Sequence, residues 1–545
     1  MMKIKNPVLK GFHPDPCMIR VGDTYYIASS TFEWWPGVRI HESKDLVNWH
    51  LLTYPLSEKR LLDMTGDPDS GGVWAPDLSY DNGTFYLVYT DAKVTNGAFK
   101  DCANYLTTAK DIRGPWSDPI FLNTAGFDAS LFHDDDGRKY LVNQYWDPRP
   151  YRHPFYGIMC TEFSEEKGCL IGEPRVIYKG TADRLAEGPH LYKVNGFYYL
   201  FVAQGGTGYA HQSRVARARS LRDTFETQPG TPLLTTLDAP CHPFQKAGHG
   251  SLVQTPAGEW YFAHLMARPL HRDTESSIDP RGWCPLGRET AIQKLVWDAE
   301  GWPQIVGGHN GAVEVDAPAD AAEHKWEPDY PEKDDFDGEK LNPHFQSLRT
   351  PLDESICSLR DRPGHLRLYG HFSLASAFTQ AHIARRWQSF LFEAEVKMAY
   401  EPRSFQQFAG LCCYYDTGNW TCIEMTWHET YGRVIDVVNT DLGRSESVYE
   451  EHPAPVPDHA EYVYFKVSAD GIRYRYFYSF DGTEWTAVPR IFDSARLSDE
   501  YIAAARGVAF TGAFVGMFNV DGQGTRIPAD FDYFRYRETD DLSTR

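Results

Sequence analysis

Three acidic residues of this sequence stand at matched positions ahead of similar tyrosines. Asp128 and Glu187 each precede such a tyrosine by twelve residues, and Asp15 precedes another by eleven. His249 and Trp74 hold the corresponding positions before two further tyrosines. A single aspartate between prolines is most often a turn former. Three carboxylates at equivalent positions are poorly explained in that way, because like charges brought together are unfavourable unless they serve a function.

Converging carboxylates are the groups that glycoside hydrolysis needs. One carboxylic acid protonates the leaving oxygen, and a second carboxylate acts from the opposite face of the sugar. We expect Asp15 to be the general base and Glu187 the general acid, with Asp128 raising the pKa of Glu187 from an adjacent position. Facing carboxylates leave room for a water, which predicts inversion and a separation of roughly 6.5–9.5 Å.

The tyrosines belong to five similar hairpin patterns that position these groups. Each pattern has a glycine turn followed by an aromatic-rich strand, in GDTYYIASS, NGTFYLVYT, DGRKYLVNQ, NGFYYLFVA and AGEWYFAHL. The aligned residues are Tyr26, Tyr86, Tyr140, Tyr199 and Tyr261, with separations of 60, 54, 59 and 62. This spacing predicts an all-β, five-bladed propeller over residues 1–305, whereas a pair of stacked sandwiches would repeat less evenly. The first strand of each blade lines the channel, so matched positions converge on the axis.

The remaining polar and aromatic candidates each have two interpretations. His249 is either a neutral hydrogen-bonding or metal-ligating imidazole near the axis, or an ordinary buried histidine; no second metal ligand is evident from spacing. Trp74 is either a platform for a sugar ring or part of the core. Phe32 and Trp146 follow strands at similar depth and are weaker candidates.

The sequence beyond the repeats indicates a second domain. Residues 306–335 mix Gly, Pro, Ala and acidic residues and are predicted to be a linker. Over residues 336–540 apolar and polar residues alternate between Asp-Gly turns, as in YVYFKVSADGIRYRYFYSFDG. This pattern predicts an antiparallel β-sandwich, which either binds sugar itself or contributes to the rim of the active site.

Composition excludes several classes of function. The formal net charge of -21 argues against a nucleic-acid partner. The ten cysteines follow no disulfide or metal spacing, so we expect free thiols of a reducing compartment. No apolar signal segment opens the sequence, and no run approaches 18 apolar residues. A cytoplasmic protein without a membrane span is therefore expected.

The motifs of the first 300 residues resemble those of glycoside hydrolase family 43, in its β-xylosidase group with a C-terminal β-sandwich. They include the segments FHPDPCMIRVGDTYYIASS, VWAPDLSY, FDASLFHDDDG, AEGPHLYK, GHGSLV and PLGRET. The resemblance implies a general base at Asp15, a general acid at Glu187 and a tuning carboxylate at Asp128. It also implies that Arg288, within PLGRET, hydrogen-bonds the terminal sugar.

The same resemblance implies further site residues and an activity. Phe32, Trp74, Trp146 and Thr207 match positions near the sugar pocket, and Phe514 matches a loop of the second domain that narrows it. The expected activity is exo-acting, inverting release of xylose from the non-reducing end of β-1,4-xylooligosaccharides, with α-L-arabinofuranosidase side activity. No cofactor is required, a structural calcium near His249 is allowed for, and a homo-oligomer, dimer or tetramer, is expected.

Two alternatives stay open from the sequence, and a third is argued against by missing motifs. An arabinofuranosidase or endo-arabinanase would use the same carboxylates, although an endo enzyme needs an open cleft. Fructosidases also have five blades, but their WMNDPNG-like start and Arg-Asp-Pro motif are missing from this sequence. A non-catalytic sugar-binding propeller would need no acid–base pair.

Overall fold

The computed structural model describes residues 2–271, 281–326, 331–450 and 452–539. The chain divides into two compact units, of which the first is mainly Met1–Pro269 with Arg288–Glu327, and the second mainly Pro328–Arg545 with Gly282–Gly287. Both units are built almost entirely of β-strands. Residues 327–330 of the predicted linker, and residues 451 and 540 of the predicted sandwich, lie outside the described residues.

The first unit is the predicted five-bladed propeller, with an antiparallel sheet for each blade. Blade one contains Cys17–Val21, Thr24–Ser29, Arg39–Ser43 and His50–Thr53. Blade two contains Gly72–Asp81, Thr84–Val94, Asp101–Ala109 and Ile120–Asn123. Blade three contains Ser130–His133, Lys139–Trp146, Phe155–Ser164 and Cys169–Tyr178. Blade four contains Glu187–Val194, Phe197–Gln204, Gln212–Ala218, Glu226–Thr227 and Leu234–Thr235. Blade five contains Gln245–Gln254, Trp260–Ala267, Glu289–Trp297 and Pro303–Ile305.

The first strands of the blades form a closed ring. Each contacts the first strand of the next blade, and that of blade five contacts that of blade one. Residues ahead of blade one complete the closure against the third strand of blade five. The Asn6 side chain donates to the carbonyl of Ile292 at 2.9 Å and accepts from its N–H at 2.8 Å. The backbone N–H of His13 donates to the carbonyl of Arg288 at 2.9 Å.

Part of the segment predicted to be a linker belongs to the propeller unit. Glu314–Asp316 is a strand that pairs antiparallel with Lys3–Lys5, in the register Ile4 opposite Val315. Both central side chains are buried, at 0% and 7% exposure. The turn-rich composition of residues 306–335 therefore conceals a strand, which pairs with residues some 300 positions earlier.

The second unit is the predicted β-sandwich. One sheet contains Lys333–Asp334, Cys357–Ser358, Leu366–Tyr369, Leu391–Ala399, Val463–Asp470, Arg473–Ser479, Thr486–Ala487, Phe492–Asp493 and Pro528–Glu538. The other contains Ala381–Arg386, Gln407–Asp416, Asn419–His428, Gly432–Asp441, Arg444–Ser447, Ala454–Pro455 and Phe514–Asp521. Strand Leu391–Ala399 alternates strictly between buried and half-buried residues, as a strand with one face in the core must. Its buried residues pack with those of the facing sheet, including Leu411 and Ile423.

The few remaining elements are short. Trp34–Trp35 and Ser347–Leu348 are two-residue strands outside these sheets. A 3-10 helix, Ser494–Leu497, precedes the α-helix Asp499–Arg506, which Ser498 caps at its start and left-handed Gly507 ends. Among the residues described, no helix has the length and apolar character needed to cross a membrane.

Candidate active site

A residue with left-handed backbone conformation stands at the inner start of every blade. These residues are Asp15 (φ 53°), Ala75 (φ 26°), Asp128 (φ 53°), Gly188 (φ 53°) and His249 (φ 40°). In blades two, four and five the strand register shifts at this point, as in a β-bulge. In every blade the left-handed residue precedes by four the residue that pairs with the aligned tyrosine. The one-residue differences in spacing therefore come from the hairpin turns, which are longer in blades three and five than in the other blades. Four of these five residues are not glycine. A left-handed conformation is unfavourable for them unless the surrounding structure enforces it.

Asp15 lies buried among hydrogen-bond donors. Its Oδ2 accepts from the Ser30 hydroxyl at 2.6 Å, and its Oδ1 accepts from Nη1 of Arg288 at 2.8 Å. Nδ1 of His249 lies 3.6 Å from the same Oδ1. Burial alone would raise the pKa of Asp15, but Arg288, His249 and Ser30 together hold it below the ordinary value. Asp15 is therefore ionised at neutral pH.

Glu187 has the opposite environment. Its side chain is 8% exposed, and burial raises its pKa well above the ordinary value. The negative charges of Asp128 and Asp15 raise this pKa further. Asp128 lies beside Glu187, since its Oδ2 accepts from the backbone N–H of Gly188 at 3.0 Å. Burial and the charge of Asp15 raise the pKa of Asp128 as well. Together, Asp128 and Glu187 retain a proton at neutral pH.

Two buried histidines, both uncharged at neutral pH, influence Asp15. Burial lowers the pKa of His249 to about 4 and that of His211 to about 3. The His249 imidazole packs on Gly188 so closely that a Cβ there would lie 2.6 Å from Nε2. His211, whose Nδ1 is 2.6 Å from the carbonyl oxygen of Gly206, was not predicted. It directly precedes the third strand of blade four, outside the repeat position that revealed the other residues.

The surroundings of His249 do not fit a calcium site. Ca²⁺ takes six to eight oxygen ligands. The carboxylate of Asp15, whose Oδ1 lies 3.6 Å from Nδ1 of His249, already binds the Arg288 guanidinium. A second imidazole, from His211, occupies the same neighbourhood.

The aromatic candidates form one row. The rings of Phe32 and Trp74 have centroids 6.2 Å apart, Trp74 and Phe127 5.4 Å, and Phe127 and Trp146 6.0 Å. Nζ of Lys100 lies 4.8 Å from the Trp146 ring centre and 6.0 Å from that of Trp74. Burial lowers the pKa of Lys100, although the negative charge of Glu187 acts in the opposite direction. Phe127 and Lys100 were not predicted, although Phe127 immediately precedes Asp128.

The other predicted residues lie as follows. Arg288 is 2% exposed, and its guanidinium carbon is 5.4 Å from the Phe32 ring centre. Thr207 is half-buried in the loop between the second and third strands of blade four. Phe514 begins a strand of the sandwich, has 0% exposure, and lies 5.2 Å from the guanidinium carbon of Arg386. Contact of Thr207 or Phe514 with a substrate stays a prediction.

In this arrangement two carboxyl groups favour opposite protonation states, the ionised form at Asp15 and the protonated form at Glu187. Asp15, paired with a cation, can accept a proton from water, whereas Glu187, buried beside another acid, can donate one. A difference of this kind marks the acid and the base of a hydrolytic site. The row of aromatic rings supplies flat apolar surfaces of the kind that can stack against sugar rings.

Comparisons with known proteins agree with this chemistry. Residues 4–303 match the profile of Glycosyl hydrolases family 43, and residues 333–537 match the Beta xylosidase C-terminal Concanavalin A-like domain. A Beta-xylosidase of Bacillus subtilis (strain 168) is 52% identical over 537 residues, 98% of this chain and 100% of the relative. The Xylosidase/arabinosidase 43B of Humicola insolens is 42% identical over 100% of this chain and 99% of its own. The crystal structure of xylan beta-1,4-xylosidase from Bacillus halodurans C-125 superposes with a TM-score of 0.94 at 51% identity, covering 98% and 100% of the two chains.

Proposed function

Because the chain belongs to glycosyl hydrolase family 43, we propose that this glycoside hydrolase is an exo-acting, inverting β-xylosidase. It releases xylose from the non-reducing end of β-1,4-xylooligosaccharides. The observation that carries this proposal is the opposed protonation of Asp15 and Glu187 on a propeller axis. Full-length relatives named as β-xylosidases support the choice of sugar.

The geometry supplies the parts of an inverting reaction. Asp15, held ionised by Arg288 and Ser30, takes a proton from a water as that water attacks the anomeric carbon. Glu187, held protonated by burial and by Asp128, gives its proton to the departing glycosidic oxygen. Asp128 also fixes the backbone at Gly188, next to the acid. Its role is thus to position and tune Glu187.

Two substitutions and one product analysis test the reaction. Glu187→Gln and Asp15→Asn should each lower kcat on xylobiose by about 10²–10⁴, since each removes one proton transfer. Proton NMR of fresh hydrolysate should show α-xylose before mutarotation. Unchanged hydrolysis in both variants would eliminate this site, and β-xylose as the first product would eliminate inversion. Ser29→Ala is the matched control, because Ser29 is also buried but its hydroxyl donates to the carbonyl of Arg39.

α-L-Arabinofuranosidase action is the second candidate, favoured by the name of the Humicola insolens relative. We propose it as a side activity. The ratio of kcat/KM on aryl β-xyloside and aryl α-arabinofuranoside measures the balance. A ratio below one would make arabinofuranoside the principal substrate.

We also propose a cytoplasmic location and a homo-oligomeric state, dimer or tetramer. All ten cysteines are free thiols, eight of them buried or half-buried, which is typical of proteins from reducing compartments. Cell fractionation and sedimentation of the purified chain test these two points separately from the reaction.

A further inference from the structure

A second ring of side chains lies directly behind the catalytic ring. Two positions after each left-handed residue, the first strands of the five blades present Cys17, Asp77, Ser130, His190 and Ser251. Four of these five residues, all except Ser251, line one cavity formed by the first strands. The two serines of the ring bond to backbone: Ser130 donates to the carbonyl of Pro189, and Ser251 to that of Pro16. The other three members are all side chains that bind metals.

The ligand atoms of Cys17, Asp77 and His190 are already gathered. They lie within 4.8 Å of one another, and all three residues are buried. Oδ1 of Asp77 is 3.4 Å from Sγ of Cys17 and 3.3 Å from Nδ1 of His190. Tetrahedral bonds to Zn²⁺ place sulfur, nitrogen and oxygen ligands about 3.3–3.6 Å apart. Two of the three separations therefore match a zinc site as they stand.

The wider surroundings allow an ion to enter. The first strands of all five blades line a cavity of about 430 Å³ that includes the three residues. Asp135, Lys193 and Gln254, also in its lining, are exposed, so the cavity opens to solvent. An entry path of this kind is one of the features expected of a metal-binding site.

We propose that the propeller channel binds one Zn²⁺ through Cys17, Asp77 and His190, with the fourth position facing the cavity. A thiolate, an imidazole and a carboxylate favour zinc over calcium or magnesium. The thiol releases its proton to solvent when the ion binds. The ion would link blades one, two and four directly. It would also reach blade three, because Oδ2 of Asp77 accepts from the N–H of Leu131 at 2.9 Å.

Stoichiometric binding by the full-length protein tests the proposal. Protein stripped with a chelator is titrated with Zn²⁺ by calorimetry and assayed for retained zinc after desalting. We expect one equivalent and a rise in Tm that saturates at that equivalent, since the ion binds only the assembled ring. Cys17→Ser and His190→Gln should each weaken binding at least tenfold. The double variant Cys169→Ser, Cys241→Ser removes the two exposed thiols and should bind as the parent protein does.

Co²⁺ provides a second measurement that does not depend on the stability of a variant. Bound at this site, it should give tetrahedral d–d bands and a thiolate charge-transfer band in the parent protein and in the exposed-thiol double variant. The proposal is overturned if the parent protein binds less than one equivalent, if the charge-transfer band is missing, or if Cys17→Ser binds Zn²⁺ as tightly as the parent protein. Xylobiose hydrolysis by the zinc-free protein is measured separately, so failure of the metal site and failure of the proposed reaction are distinguishable.

Discussion

The hydroxyl of Ser30 should control how the reaction responds to acid. Ser30 is fully buried and donates to Oδ2 of Asp15 at 2.6 Å. This hydrogen bond stabilises the ionised form, so Ser30→Ala should raise the pKa of Asp15. Asp15 then stays protonated, and inactive as a base, up to a higher pH. The acid limb of the kcat/KM profile therefore moves to higher pH.

The magnitude follows from the charge on the acceptor. A hydrogen bond to a charged group contributes about 1.5–3 kcal/mol. At about 1.4 kcal/mol for each factor of ten, its loss changes the equilibrium between ionised and protonated Asp15 by about 10- to 150-fold. On the acid limb, kcat/KM should fall by that factor relative to the parent protein. On the neutral plateau it should change little, because Arg288 still holds the carboxylate.

The assay is kcat/KM on an aryl β-xyloside across the pH range, with circular dichroism at each pH to confirm folding. Ser29→Ala is the control, because Ser29 is equally buried but its hydroxyl donates to the carbonyl of Arg39 at 3.4 Å instead. Its profile should overlay that of the parent protein. A uniform loss at every pH in Ser30→Ala, or an acid limb that does not move, would refute this account of how Asp15 stays ionised.

Two further predictions concern the acid side of the site. Asp128→Asn removes a negative charge that raises the pKa of Glu187, so the alkaline limb of kcat/KM should move to lower pH, with about a tenfold loss on that limb; an alkaline limb that stays in place would contradict the tuning role. Gly188→Ala places a Cβ 2.6 Å from Nε2 of His249 and should lower kcat/KM at least about tenfold. Gly172 is also left-handed but has open space around it, so it serves as the control. Gly172→Ala should lower the stability of the fold by only about 1–2 kcal/mol. Equal activity losses in the two glycine variants would show that backbone strain, rather than contact with His249, is responsible.

The blades could be predicted because their signals are local. A glycine turn before an aromatic strand is a short-range pattern, and its repetition at five tyrosines located the blades and the ring of matched positions. Ser30 could have been found by the same reasoning. The two-residue turn Gly22–Asp23 pairs Val21 with Thr24 and Cys17 with Ala28, and this register continues to place Ser30 opposite Asp15.

Contacts between blades carry no such local signal. His211 packs where a Cβ on Gly248 would lie 2.3 Å from its ring, and this meeting of blades four and five depends on the closed ring. Lys100 reaches the site from a loop whose length differs from blade to blade. The strand Glu314–Asp316 was predicted as linker because composition cannot reveal a partner at Lys3–Lys5.

The closure of the ring also sets the order in which a working enzyme arises during synthesis. A ribosome that has made four blades has already made all three carboxylates. Asp15, however, pairs with Arg288, which follows it by 273 residues and directly precedes a strand of the last blade. Until that strand joins residues 6–13 at the start of the chain, the base lacks its cation. We therefore expect chains released before the fifth blade is complete to be inactive on xylobiose.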